Sequence, residues 1–131
     1  MKKIIITLLA LGTLAACNSG GSSTTGFSIS NISPASGSKV VITPNTQTFT
    51  ATFNSNVNSS TITNQTITLT NTLTAFPVSL ACSVTAQAAN VVVCTTTSIP
   101  STGQSYTLTF KSGIQSSSGV ALSQVSYSFS S

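Results

Sequence analysis

From Phe27 to the end of the chain, apolar and hydroxyl-bearing residues alternate one by one. Thr48-Phe49-Thr50-Ala51-Thr52-Phe53 sets Phe49, Ala51 and Phe53 on one face and threonines on the other. The same scheme recurs in Thr66-Ile67-Thr68-Leu69-Thr70, Tyr106-Thr107-Leu108-Thr109-Phe110 and Val125-Ser126-Tyr127-Ser128-Phe129. A period of two marks strands buried on one face. Threonine is β-branched and suits the pleated surface, so it covers the solvent side without any charge. The pattern predicts strands near 27–32, 39–42, 47–53, 65–71, 78–85, 91–97, 105–111 and 124–130. Turn-forming runs separate them: Pro34 to Gly37, Pro44-Asn45, Pro100 to Gly103 and Ser116 to Gly119. A helical period is absent from this region, apart from one turn expected at Asn58-Ser59-Ser60-Thr61, where Asn and Ser favour caps. Seven to eight short strands in a region of this length predict an all-β, two-sheet antiparallel sandwich.

The first 26 residues follow a different rule. Lys2 and Lys3 make a positive start, Ile4 to Leu14 an apolar run, and Ala15-Ala16 a small-residue stop. This is the secretory pattern, and the run is too short to span a bilayer. Leu14-Ala15-Ala16-Cys17 resembles the bacterial lipoprotein signal, with a cysteine directly after small residues. The resemblance implies removal of residues 1–16, with diacylglycerol on the Cys17 sulfur and an acyl chain such as palmitate on its amine. The alternative is an ordinary secretory peptide with an incidental cysteine. Several chains together hold a protein stably at a membrane, whereas one does so only marginally. Asn18 stands where an aspartate commonly signals inner-membrane retention, which points to the outer membrane where the source has one. Residues 17–26 then read as the lipidated cysteine and a flexible Ser/Gly/Thr tether. Residues 27–131 form the domain.

Composition removes most chemistry. Of 131 residues, four are lysine or arginine, all of them lysine, and there is no Asp, Glu or His. Charged residues make up 3% of the chain, against about 25% in an ordinary globular protein. The usual general acids, general bases and metal ligands are therefore missing, and no enzyme, cofactor or metal site is expected. Lys2 and Lys3 fall in the leader, which leaves only Lys39 and Lys111 in the domain. Two separated lysines cannot make the basic patch that nucleic acid requires. Ser36-Gly37-Ser38-Lys39 and Lys111-Ser112-Gly113 mimic two penicillin-binding-protein motifs. The third motif needs an aspartate, Ser36 follows a turn rather than opening a helix, and the chain is far too short for that fold.

Cys82 and Cys94 are the cysteines left to the domain, in a compartment that permits disulfides. Ala86-Gln87-Ala88-Ala89-Asn90 reads as a hairpin loop. Facing residues in an antiparallel hairpin share a constant index sum. A loop centred on Ala88 therefore sets Cys82 opposite Cys94, Val84 opposite Val92 and Leu80 opposite Thr96. The register predicts a cross-strand disulfide on the core side. The alternative is a pair of buried thiols.

Four segments then resemble, in order, the signatures of bacterial Ig-like domains of the type found in S-layer proteins. They are Asn31-Ile32-Ser33-Pro34-Ala35-Ser36-Gly37, Thr52 to Thr61, Ile99 to Thr109 with Gly103 and Tyr106, and Gly113 to Leu122. Asn58 and Ser116 stand where that family often has aspartate, so no calcium or salt-bridge role carries over. The resemblance implies a β-sandwich used as a spacer, adhesion or binding module in the cell envelope, with Pro34, Gly103 and Tyr106 in structural roles. Tyr106 is expected to keep its ring in the core and its hydroxyl on nearby backbone, with contact to a ligand as the alternative. The expected function is a membrane-anchored, non-catalytic structural or protein-interaction module. An envelope protein would dock on an uncharged edge strand or a loop. The rival reading is a surface adhesin or carbohydrate-binding module, although Trp is absent and most Phe and Tyr fall on the core face. Ice binding through Thr-x-Thr rows conflicts with the twist of a sandwich sheet.

Overall fold

The computed structural model describes residues 26–40, 46–96 and 103–131. The lipidation expected at Cys17 and most of the leader and tether lie outside the described residues. Eight strands are present: β1 (Ile29–Ser33), β2 (Gln47–Phe53), β3 (Ile67–Asn71), β4 (Pro77–Val78), β5 (Ala81–Val84), β6 (Val91–Thr96), β7 (Ser105–Phe110) and β8 (Val125–Ser130). They form two four-stranded sheets, ordered β1-β2-β6-β5 and β4-β3-β7-β8, with every named pair antiparallel. The two sheets make an Ig-like sandwich.

The alternation read from the sequence is what joins the sheets. Phe49, Ala51 and Phe53 of β2 and Val92 and Cys94 of β6 are buried on the inner face of the first sheet. They meet Ile67 and Leu69 of β3, Tyr106, Leu108 and Phe110 of β7, and Phe129 of β8. Aromatic rings bridge the layers: Phe49 meets Phe129 at 5.0 Å between centroids, and Phe53 meets Phe110 edge-on at 6.3 Å. Each large apolar side chain buried this way contributes roughly 1.5–3 kcal/mol. The outer faces carry hydroxyls, with Thr68 opposite Thr109, Thr70 opposite Thr107 and Thr107 opposite Ser128.

Two strand expectations change. The stretch 78–85 is not one strand. Val78 pairs with Leu69 in the second sheet, and Ala81–Val84 pair with β6 in the first. The chain crosses between layers at Ser79-Leu80, so Val78 does not share a sheet face with Cys82. The stretch 39–42 has no named strand among the described residues. Residues 37–40 instead run beside β8, with a parallel bridge between Lys39 and Ser130. Gly37 N donates to Ser128 O at 2.6 Å and Val40 N to Ser130 O at 2.7 Å. The segment after β1 thus leaves the first sheet and borders the second. The helical turn forms at Ser59–Thr61, where the Asn58 side chain accepts from Ser60 N at 3.1 Å.

Candidate functional site

Cys82 and Cys94 face each other across β5 and β6 and are bonded, with their Cα atoms 4.0 Å apart. Val84 stands opposite Val92, the register expected for a loop about Ala88. Cys94 is fully buried and Cys82 packs against the core. The bond therefore sits on the inner side of the first sheet and ties edge strand β5 to β6.

Tyr106 occupies the far end of the core, its residue only 3% exposed. Its hydroxyl meets the side chains of Ser131 and Asn71. Burial pushes the phenol pKa up, and the hydrogen bonds with Ser131 and Asn71 pull it part of the way back. Gly103 sits nearby with φ +82°, a conformation that side-chain-bearing residues adopt only at a cost. Its N–H donates to Ser131 O at 2.8 Å, and Gln104 N donates to Ser131 Oγ at 3.1 Å. Pro34 follows a cis peptide with Ser33, at the turn from β1 to the segment beside β8. Pro34 thus follows the end of β1, and Gly103 and Tyr106 stand at the start of β7.

Asn71, which pattern reading did not single out, organises the neighbouring loop. It is buried at the end of β3. Its Oδ1 accepts from Leu73 N at 2.9 Å and Thr74 N at 3.1 Å, and its Nδ2 donates to Gln104 Oε1 at 2.9 Å. Asn71 O accepts from Ala75 N at 2.8 Å. Asparagine is suited to this because its side chain mimics a backbone turn. The braced loop holds Leu73 82% and Phe76 71% exposed, the two most exposed large apolar residues among those described. The signal for Asn71 was a polar residue on the core-facing parity set by Ile67 and Leu69, whereas Leu73 and Ala75 simply keep that parity.

At the opposite end, Asn54 fixes the start of the domain. Its Oδ1 accepts from Ser28 N at 3.0 Å and its Nδ2 donates to Gly26 O at 2.7 Å. Beside it lies a cleft of about 410 Å³ between β1 and β8, lined by Phe27, Ile29, Leu122, Val125 and Tyr127 among others. Tyr127 is half-buried, and burial raises its pKa. A second cleft, of about 360 Å³, opens where β4 leaves the second sheet, between Ile67, Leu69, Val78 and Leu80.

The structure does not assemble the motif halves at Ser36–Lys39 and Lys111–Gly113. Ser36 Oγ accepts from Ser128 N at 3.3 Å, and Ser128 faces Thr107 on β7. Lys111 lies four residues beyond Thr107, roughly 13 Å along the strand. Among the described residues, no three His, Cys, Asp or Glu side chains are grouped to hold a metal ion. No helix among them is long and apolar enough to cross a membrane.

Residues 23–131 match the sequence profile of the family described as bacterial Ig-like domain. No curated protein matches the chain significantly. Among solved structures, the S-layer protein rSbsC(31-844) is similar with a TM-score of 0.61 and 16% identity, over 82% of this chain and 14% of that one. The N-terminal part of the S-layer protein SbsC is similar with a TM-score of 0.59 and 18% identity, over 80% and 23% of the two chains. CopC from Methylosinus trichosporium OB3b is similar with a TM-score of 0.60 and 18% identity, over 79% of this chain and 90% of that one. The chain thus spans a small fraction of the S-layer proteins and most of the length of CopC. Likeness at such identities speaks for the fold alone.

Proposed function

This chain belongs to the bacterial Ig-like domain family, and from that premise we propose a membrane-anchored envelope lipoprotein whose single Ig-like domain is a non-catalytic structural and protein-interaction module. One observation carries the interaction reading. The loop between β3 and β4 is braced by four hydrogen bonds with Asn71: its Oδ1 accepts from Leu73 N and Thr74 N, its carbonyl accepts from Ala75 N, and its N–H donates to Phe76 O. That loop spends its order on displaying Leu73 and Phe76 to solvent, where a monomer gains nothing from them. The disulfide fits an oxidising compartment outside the cytoplasm. The lack of Asp, Glu and His in the whole chain weighs against catalysis and against a carboxylate- or imidazole-bound metal.

The anchor is Cys17, carrying diacylglycerol and an acyl chain, on the outer membrane where the source has one. Metabolic labelling with a clickable palmitate tests it. The label is expected on the wild-type chain and absent from Cys17→Ser; equal labelling of both would refute the anchor. The interaction reading is tested separately, with a photo-crosslinking residue in place of Phe76 in intact cells. A discrete protein adduct is expected. Illumination that yields only unlinked chain, at native expression, would overturn it.

A second reading, binding of a surface carbohydrate, has one supporting observation. The cleft between β1 and β8 sets the Tyr127 and Phe27 rings near Gln124 and Ser28. Glycan-array binding that Tyr127→Ala abolishes is expected on that reading, and silence across the array ends it.

A further inference from the structure

The four sheet edges are not alike. β1 is broken by a bulge between Ile29 and Asn31. β4 is two residues long and opens on Pro77. β8 is covered along Ser128–Ser130 by the segment 37–40. Bulges, prolines, shortness and covering segments are the means by which proteins keep foreign strands off a sheet. β5, Ala81-Cys82-Ser83-Val84, has none beyond its modest length: no charge, no proline, no irregular register.

The hydrogen-bond phase of β5 says what it offers. Thr85 N donates to Val91 O at 2.9 Å, so residues 85 and 91 are a hydrogen-bonded pair. Such pairs alternate along an antiparallel ladder. Ser83 and Ala81 therefore bond to β6, while the N–H and C=O of Cys82 and Val84 point away from it. No partner for these groups is present among the described residues. The disulfide holds Cys82 to β6, so this edge is already fixed in strand geometry.

Beside this edge lies the cleft between Ile67, Leu69, Val78 and Leu80. It exists because β4 pairs only with Leu69 and Thr70, leaving Ile67 and Thr68 without a neighbour on that side. Leu80, Cys82 and Val84 all pack toward the core side. On a strand added along β5, residues opposite them would direct their side chains the same way, over the cleft. Neither β5 nor the cleft lining contains a charged residue.

We infer that β5 is the docking edge of the domain, and that its occupant is an extended, uncharged segment of another polypeptide with one aliphatic side chain seated in the cleft beside Leu80. This rests on the protein-interaction reading and adds to it a second contact, apart from the Leu73–Phe76 loop. Unpaired edge amides select a strand. The uncharged apolar cleft selects an aliphatic side chain and disfavours a charged one, whose burial would go unpaired.

The test is amide hydrogen exchange on the full chain, with a blocked heptapeptide of alternating threonine and valine as probe. Exchange at Cys82 and Val84 is expected to slow ~10-fold or more at saturating peptide. The same peptide N-methylated at alternate residues should give no protection, and neither should one with lysine replacing valine. Val84→Pro removes an outward N–H without touching the β6 ladder and should abolish the effect. Because the peptide controls leave the protein unaltered, they decide the matter even where that variant folds poorly. Protection confined to β1 or to the loop 72–76 would overturn the edge assignment while leaving the interaction reading intact. No protection anywhere would overturn it also. Concentration-dependent protection of Cys82 and Val84 without peptide would overturn the occupant, naming a second copy of the chain instead.

Discussion

Cys82 and Tyr106 mark what single residues do in a domain with only two charged side chains, Lys39 and Lys111. The Cys82–Cys94 bond closes a short loop of sequence separation 12, which in the chain-entropy model stabilises by about 3 kcal/mol. The double variant Cys82→Ala/Cys94→Ala is expected to lose about that much in urea unfolding, and reductant should no longer affect it. Tyr106→Phe removes the hydroxyl that meets Asn71 and Ser131 and is expected to cost about 1–2 kcal/mol by thermal or urea unfolding. The pairing of the cysteines was legible because a hairpin register is simple arithmetic on sequence positions. The partners of Tyr106 were not. Asn71 comes to it from the end of β3 and Ser131 from just beyond β8, and only the assembled sheet brings them together.

Elements explain where pattern reading stopped. β2, β6, β7 and β8 lie close to where alternation placed them, since each is a single strand between clear breakers. The crossing at Ser79-Leu80 was invisible because apolar residues at Val78, Leu80, Cys82 and Val84 keep the same parity through it. A period of two reports inward against outward, and says nothing about which sheet a strand joins. The bridging role of 37–40 was hidden likewise, since its partner β8 lies far along the chain. At the other end, Asn54 is the clamp on the first described residues. Asn54→Ala should leave the core intact yet speed amide exchange at Ser28, whose N–H Asn54 Oδ1 accepts. Unchanged exchange there would show that Phe27, stacked on Phe53 at 5.0 Å, holds the segment without help.

The whole molecule behaves as its composition dictates. With no Asp, Glu or His side chain to titrate, folded and unfolded chains bind nearly the same number of side-chain protons across the acid and neutral range. The melting temperature is expected to stay level from about pH 4 to pH 9. Above that the tyrosines take over. Burial raises the pKa of Tyr106 and Tyr127 in the folded state, so the unfolded chain ionises first, near pH ~10. Their stabilisation is complete below that value and falls as pH climbs toward the folded-state pKa values. A calorimetric pH series checks both limbs. The sandwich and its family signatures were legible because they rest on periodicity and turn chemistry. The loop at Leu73–Phe76 and the open edge at β5 were not, since exposure of a loop and the bonding phase of an edge belong to the assembled sheets.

The handover of the first segment from one sheet to the other has a mechanical consequence. The chain enters beside Asn54, climbs as β1 along β2, and then binds β8 through residues 37–40. A pull applied at Gly26 and resisted at the loop 72–76 runs along the strands rather than across them. The β1–β2 ladder is then loaded in shear, its bonds sharing the force, and the bonds of 37–40 to β8 lie in series behind it. Stretched from these two points in a single-molecule experiment, the domain should yield at higher force than when pulled apart through residues on β1 and β5, at opposite edges of one sheet. A module built this way is suited to tension between an anchor and a load.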